Sequence, residues 1–391
     1  MSSHDALVVG GGIGGLAAAL ALARAGRRIL VAEQASRFAE IGAGLQLGPN
    51  AMRAFDRLGV LGPVLDSAVL PDRAVVRDAV TGEELTVLDL GPPFRARYGY
   101  PYVVAHRHDV LSVLIDACRS EAGIELRTGR TAVDVREREG HAEVTFADGE
   151  VLTARLLVGA DGIRSRARHL IDAGPPRFSG HVAYRGASVR SQLGPELAAD
   201  DVTLWIGPGI HLMQYPVRRG ELYNQVAVYE RPAGAREPRG EVEELRAAFS
   251  VAHPRVREYV ALLDPHRDWP VYDREPLPTW TTAHTALLGD AAHAMLQYLG
   301  QGACQALEDA VALGDAVSDH PHGQDRALKQ YEERRIARAS RCQTVARPWG
   351  DLWHTQDPTL LALRNRVFRL RRPDDYSELD WLYATPTEDA A

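Results

Sequence analysis

"ALVVGGGIGGLAAALALARAGRRILVAEQ", residues 6–34, reads as strand, tight turn, helix and strand in succession. Ala6 to Val9 is a short apolar strand, the alanine-rich run from Ile13 to Ala25 is a helix stopped by Gly26, and Ile29 to Ala32 is a second strand. A βαβ unit sets its strands side by side in parallel, which implies a sheet covered by helices on both faces. Gly10, Gly12 and Gly15 fill the turn at GxGxxG spacing, and Glu33 closes the second strand. Glycine there permits the tight turn and the close approach of backbone to a pyrophosphate seated at the positive end of the helix. Glu33 can accept a hydrogen bond from an adenosine ribose hydroxyl. The unit therefore predicts a dinucleotide site, without separating NAD from FAD.

A chain of 391 residues exceeds the usual size of one domain, so two closely packed domains are expected. With 45% hydrophobic and 25% charged residues it has an ordinary globular composition, which confines disorder to the ends. A net charge of -7 provides no general field for nucleic acid, and the arginine-rich "RNRVFRLRRP" (364–373) reads as a solvated surface segment. Cys118, Cys304 and Cys342 are odd in number and widely spaced, which fits neither a disulfide framework nor a zinc site and suits a reducing cytoplasm. No metal is expected, "DHPH" (319–322) being read as a surface loop, and no segment approaches a membrane-spanning length.

Further along, "HRHDVLSVLIDACRSEAG" (106–123) puts Asp109 as the N-cap of a helix. "AEVTFADGEVLTARLLVGADG" (142–162) reads as two alternating strands joined at Asp148-Gly149 and running into a third, and "HLMQYPVRRGELYNQVAVYE" (211–230) as another antiparallel pair. Helix-rich α/β sequence thus alternates with strand-rich sequence. The expected fold is α/β: a Rossmann-like domain with a mixed sheet over 1–70, 99–175 and 277–320, interrupted by a β-rich substrate domain over 71–98 and 176–276, with a C-terminal helical segment over 321–391.

Two downstream motifs narrow the cofactor. "LLVGADGIRSRAR" (156–168) ends a strand in Asp161-Gly162. "GDAAHAMLQYLGQGACQALEDA" (289–310) follows another that ends in Gly289-Asp290, before Gly300, Gln301 and Gly302 open a helix. A plain NAD-dependent dehydrogenase has no use for either, and a flavin-free binding protein has none for the open glycine turn. With the GxGxxG they resemble the flavin-dependent aromatic hydroxylases, single-component monooxygenases with the fold of p-hydroxybenzoate hydroxylase. The resemblance implies FAD gripped by Gly10, Gly12, Gly15, Glu33, Arg107, Asp161 and Asp290, with Gly300, Gln301 and Gly302 at the flavin end. It also implies hydroxylation of an electron-rich ring with O2 and NADH or NADPH as a transient co-substrate, since no second GxGxxG is present. A homodimer is compatible with this reading.

Within the family the wording is most similar to the 3-hydroxybenzoate 6-hydroxylase type, through "GAGLQLGPNAMR", "FRARYGYPYVVAHR" and "WGDLWH". Where salicylate hydroxylases read LPY, this chain has Leu296, Gln297 and Tyr298, although "GQGACQALEDA" turns toward the salicylate hydroxylase wording. The resemblance implies para-hydroxylation of a hydroxybenzoate to 2,5-dihydroxybenzoate. Decarboxylating hydroxylation of salicylate, or of another phenolic or N-heteroaromatic ring, is the alternative. His211 and Tyr215, four apart on a strand, share a face with Met213. His211 is the expected base, Gln297 its partner on the phenol, and Tyr102 and Tyr215 the residues that orient the ring; His293 is expected to support the flavin loop.

Overall fold

The computed structural model describes residues 4–38, 44–194, 200–231 and 239–385. Ala6–Val9 lies at the centre of a five-stranded sheet, in the order Thr285–Leu287, Leu156–Gly159, Ala6–Val9, Ile29–Ala32, Ile124–Arg127, and every pairing is parallel. The four inner positions of each of the first two strands are fully buried, as expected when helices cover both faces. Helix Ile13–Arg24 packs on helix Gly302–Asp319, where Gly314 sits against Ala21 with no room for a Cβ. The strands Ala132–Arg138, His141–Phe146 and Val151–Ala154 form a separate antiparallel sheet. The mixed character expected of this region is thus divided between two sheets, and the last hairpin turns at Asp148-Gly149 with Gly149 at φ +87°.

The strand-rich sequence builds a seven-stranded sheet, in the order Asp268–Asp273, Arg177–Val189, Leu222–Glu230, Ile210–Val217, Val202–Gly207, Arg73–Asp78, Glu84–Asp89. Only Val202–Gly207 with Arg73–Asp78 pairs in parallel, so residues from before and after the interruption share one sheet. The hairpin over 211–230 turns through Arg218 and Arg219, both at positive φ (53° and 55°), and Gly220. That left-handed backbone is costly for arginine, and contacts at the turn hold it: Arg218 is bidentate to Asp109 and Arg219 donates to the Asp66 carbonyl. Asp109 is therefore not the N-cap expected from sequence. The helix begins at Arg107, and Asp109 in its first turn serves the distant hairpin instead.

Helices Gln324–His354, Pro358–Leu370 and Asp380–Tyr383 complete the chain. The first contains Pro348, which lacks the N-H that would bond back to residue 344, and Gly350, against which the Tyr298 ring lies too closely for any Cβ.

A buried ionic cluster joins this helix to the parallel sheet. Asp309 is fully buried and accepts from the Gly289 N-H at 3.1 Å, from His293 Nε2 at 2.6 Å and from Arg335 Nε at 2.8 Å. Arg335 also reaches Glu308 and the side chain of Gln305. Opposite charge and hydrogen bonds keep both carboxylates ionised despite burial. Removing one partner of such a pair leaves the other buried and uncompensated. The Arg335→Met variant should lose on the order of 3 kcal/mol of stability, read as a lowered thermal midpoint; an unchanged melt would rule out this role.

Candidate active site

The glycine turn is shaped to receive a phosphate backbone. Gly10 has φ +107°, and a Cβ there would fall inside the Ala160 carbonyl; at Gly15 it would strike the Gly10 carbonyl. Gly12 precedes the first helical residue, so the unpaired N-H groups of the helix open over the loop. Glu33 accepts from the Gly11 N-H at 2.7 Å and the Ala35 N-H at 2.8 Å, which fixes the loop. A carboxylate has about four lone-pair sites, so capacity remains for a ribose hydroxyl. Asp161 lies against this turn at the end of the neighbouring strand. Its Oδ2 accepts from the Arg166 N-H, while Oδ1 is buried without a partner and burial raises the carboxyl's pKa. Such an orphaned acceptor beside a cradle of bare backbone fits an extended dinucleotide with hydroxyls to donate.

Across the sheet, Gly289 at φ +60° turns the chain so that Asp290 is exposed beside Gly302, the first residue of helix Gly302–Asp319. Arg107 feels the Asp290 charge, which opposes the lowering of its pKa by burial. Gly300 takes the left-handed conformation at φ +62°, and the helix presents its positive end there. A reduced flavin, negative near its pyrimidine edge, suits that end. The Gln301 side chain, by contrast, is committed elsewhere: its Oε1 accepts from Asn50 and Gln305. His293 packs on Trp280 and donates into the Asp309 cluster, a supporting position behind the turn.

His211 and Tyr215, expected at the substrate, lie on one face of the seven-stranded sheet. Strand register puts His211 beside Val228 and Ala183, Met213 beside Val226 and Arg185, and Tyr215 beside Asn224. His211, Met213 and Tyr215 do share a face, and Tyr215 closes against Gly44, whose N-H is held by Asn224. Tyr102 donates to Gln46 Oε1 at 2.6 Å. The turn after Leu296 brings Gln297 over this face, where its Oε1 accepts from Arg185 Nη2 at 2.6 Å. Arginine has no acceptor, so this contact fixes the amide orientation and leaves the Gln297 NH2 as a donor. Arg185 Nε is buried without a partner, and burial together with nearby Arg107 lowers the guanidinium's pKa.

His211 is 2% exposed, and burial lowers its pKa to about 3, so the ring is neutral. Its Nδ1 meets His354 Nε2 at 2.7 Å, His354 Nδ1 meets His181 Nε2 at 3.0 Å, and His181 Nδ1 meets the Tyr298 hydroxyl at 3.1 Å. Arg185, His181 and His354 were not singled out from the sequence. His354 stands in the quoted "WGDLWH", and strand alternation puts Arg185 and His181 on one face, but only the fold shows that this is also the face of His211.

The chain is similar to known proteins over nearly all its length. A family model described as FAD binding domain covers residues 3–346. The chain is 38% identical over 384 residues to 3-hydroxybenzoate 6-hydroxylase of Polaromonas naphthalenivorans (strain CJ2), with 96% of this chain and 95% of that one covered. Among solved structures it is similar to Klebsiella pneumoniae HpxO complexed with FAD and uric acid, at 29% identity and a TM-score of 0.81, with 94% and 92% covered. It is also similar to a salicylate hydroxylase substrate complex, at 27% identity and a TM-score of 0.79, with 97% and 94% covered. The cradle, the orphaned Asp161 oxygen and the helix end at Gly302 all suit FAD, and the chain belongs to the FAD-binding-domain family as an FAD-dependent aromatic monooxygenase.

Proposed function

We propose that the protein hydroxylates 3-hydroxybenzoate at C6, giving 2,5-dihydroxybenzoate, with NADH and O2 as co-substrates. C6 lies opposite C3 on the ring, so the new hydroxyl is para to the phenol. Bound FAD supplies the redox chemistry, taking electrons from the nicotinamide and activating oxygen for transfer. The protein's own task is to raise the electron density of the ring by drawing off the phenolic proton.

A phenol titrates near 10, so ionising it at neutral pH requires about three pH units, roughly 4 kcal/mol, of help from the site. The observation that carries the reading is the pairing, on one buried face, of a neutral His211 with Gln297 held by Arg185. His211 Nε2, the nitrogen not engaged by His354, accepts the proton. Gln297 donates its NH2 to the oxygen left behind, and the Arg185 charge behind it favours the phenolate. Tyr102 and Tyr215 border the ring and orient its carboxylate. Arg107, Asp290 and the helix end at Gly302 hold the flavin side of FAD, and the glycine turn with Glu33 and Asp161 holds the adenosine side.

Purified holoenzyme with NADH, offered 3-hydroxybenzoate, salicylate, 4-hydroxybenzoate and 6-hydroxynicotinate in turn, should consume oxygen and form a dihydroxylated product with the first. Oxidation of NADH to peroxide alone, or product only from salicylate, overturns the substrate. His211→Ala should lower coupled hydroxylation by roughly a hundredfold or more, the range of a general base, with FAD retained; coupled turnover at the parent rate rejects the role. Arg185→Gln should raise the apparent pKa of the bound phenol by about one unit or more, followed as the phenolate absorbance against pH; an unshifted titration removes Arg185 from the site.

A further inference from the structure

The turn of the hairpin over 211–230 is built from residues that do not favour it. Arg218, Arg219 and Gly220 follow one another at φ 53°, 55° and 84°. The Gly220 N-H donates to the Val217 carbonyl at 3.1 Å and the Glu221 N-H to the Arg218 carbonyl at 3.0 Å. Glycine or asparagine adopts such left-handed backbone at little cost, and arginine does not. Among the described residues no other non-glycine residue stands at positive φ. Strain of this kind persists where the surrounding structure requires the side chain.

Both arginines leave the seven-stranded sheet and fasten the turn to helices packed on the parallel-sheet core. Arg218 is bidentate to Asp109, at 2.6 and 3.0 Å, and its Nη2 lies 3.5 Å from His106 Nδ1. Asp109 stands in the first turn of helix Arg107–Ser120, where the unpaired N-H groups favour a carboxylate. Arg219 donates through Nε to the Asp66 carbonyl at 2.6 Å and through its N-H to the Ser67 carbonyl at 3.2 Å, at the negative end of helix Leu61–Ser67. Glycine would relieve the backbone and could make neither side-chain contact.

We propose that Arg218 and Asp109 are a positioning pair for hydroxylation: they set the strand of His211 and Tyr215 against the helix that begins at Arg107, and so hold the aromatic ring in register with the flavin. The inference rests on the proposed roles of those three residues.

Short lever arms carry the argument. Arg218 follows Tyr215 by three residues, about 10 Å along a strand. Asp109 follows Arg107 by two, about 3 Å along a helix axis. Tyr215 closes against Gly44, whose N-H is held by Asn224 on the second arm of the same hairpin, so a slipped turn moves the whole substrate face. Hydroxylation is sensitive to such a slip, since a displacement of about 1 Å can cost a hundredfold in rate. A competing outcome then takes over. Either course draws two electrons from NADH; one puts an oxygen atom on the ring and the other atom in water, while the second reduces both atoms to hydrogen peroxide.

Two variants separate positioning from folding. Arg218→Gly removes the guanidinium and relieves the backbone, whereas Asp109→Asn keeps the backbone and breaks the bidentate contact. FAD-loaded parent and variants are given NADH and 3-hydroxybenzoate, and product, peroxide and consumed NADH are measured beside the thermal midpoint. Product per NADH should fall to about half or less in both variants, peroxide making up the difference. FAD content should stay at the parent level, and the midpoint of Arg218→Gly should not fall. Without NADH, the change in flavin absorbance on binding 3-hydroxybenzoate should shrink in both. The pair is half-buried, so salt should lower product per NADH in the parent and leave Arg218→Gly unmoved.

Should the glycine variant lose FAD, the Asp109→Asn result decides alone. Parent coupling and a parent flavin spectrum in the variants that retain FAD overturn the pair and leave His211 and Tyr215 in their roles. A parent enzyme that yields peroxide alone with 3-hydroxybenzoate overturns the reading of the substrate face, and the pair with it.

Discussion

A single buried carboxylate, Asp309, ties together the parts that make this site. It takes the Gly289 N-H that sets the turn into Asp290, the His293 ring beneath that turn, and the Arg335 guanidinium of the long helix. An unpaired charge at that depth would be untenable, so the three elements are held in one arrangement or the cluster fails as a whole. The same helix Gly302–Asp319 that carries Asp309 presents its positive end beside Asp290. The turn into Asp290 is thus held by electrostatics behind it.

The long helix carries that anchoring to the seven-stranded sheet, where its His354 meets His211. From Arg335 to His354 it runs about 28 Å at 1.5 Å per residue, crossing from the ionic cluster to the face of the seven-stranded sheet. Gly350 near its end leaves the space in which the Tyr298 ring lies against it. One rigid rod therefore fixes the distance between the flavin-side helix and the histidines. The charges follow the same division, with Arg107 and Arg185 half-buried inside and the carboxylates Asp351 and Glu230 exposed.

Much of the fold could be read directly. Glycines at 10, 12 and 15 occupy positions where a Cβ would collide or the helix must start, so the residue type itself announces the backbone. The hairpin at Asp148-Gly149 follows from local turn chemistry, and alternation placed His211, Met213 and Tyr215 together. Local rules misled where a side chain answered to a distant partner. Asp109 has the type and place of a cap, yet Arg218 claims it from 109 residues away. For Gln301, in the turn between Gly300 and Gly302, the fold adds that its side-chain oxygen accepts from Asn50 and Gln305.

The sequence by itself determined the nucleotide-binding βαβ unit, the two aspartate turns and the strand face bearing His211, because each depends on contacts within a few residues or on a period of two or 3.6. Only the tertiary structure decided that Arg185, among so many arginines, meets Gln297, or that His211, His354 and His181 form one chain. Those contacts span 112, 143 and 173 residues. Their energies come from burial, which strips water from a guanidinium or an imidazole and leaves it dependent on whatever the packed neighbours provide. Burial is a property of the assembled layers, so no periodicity along the chain could have marked these residues out.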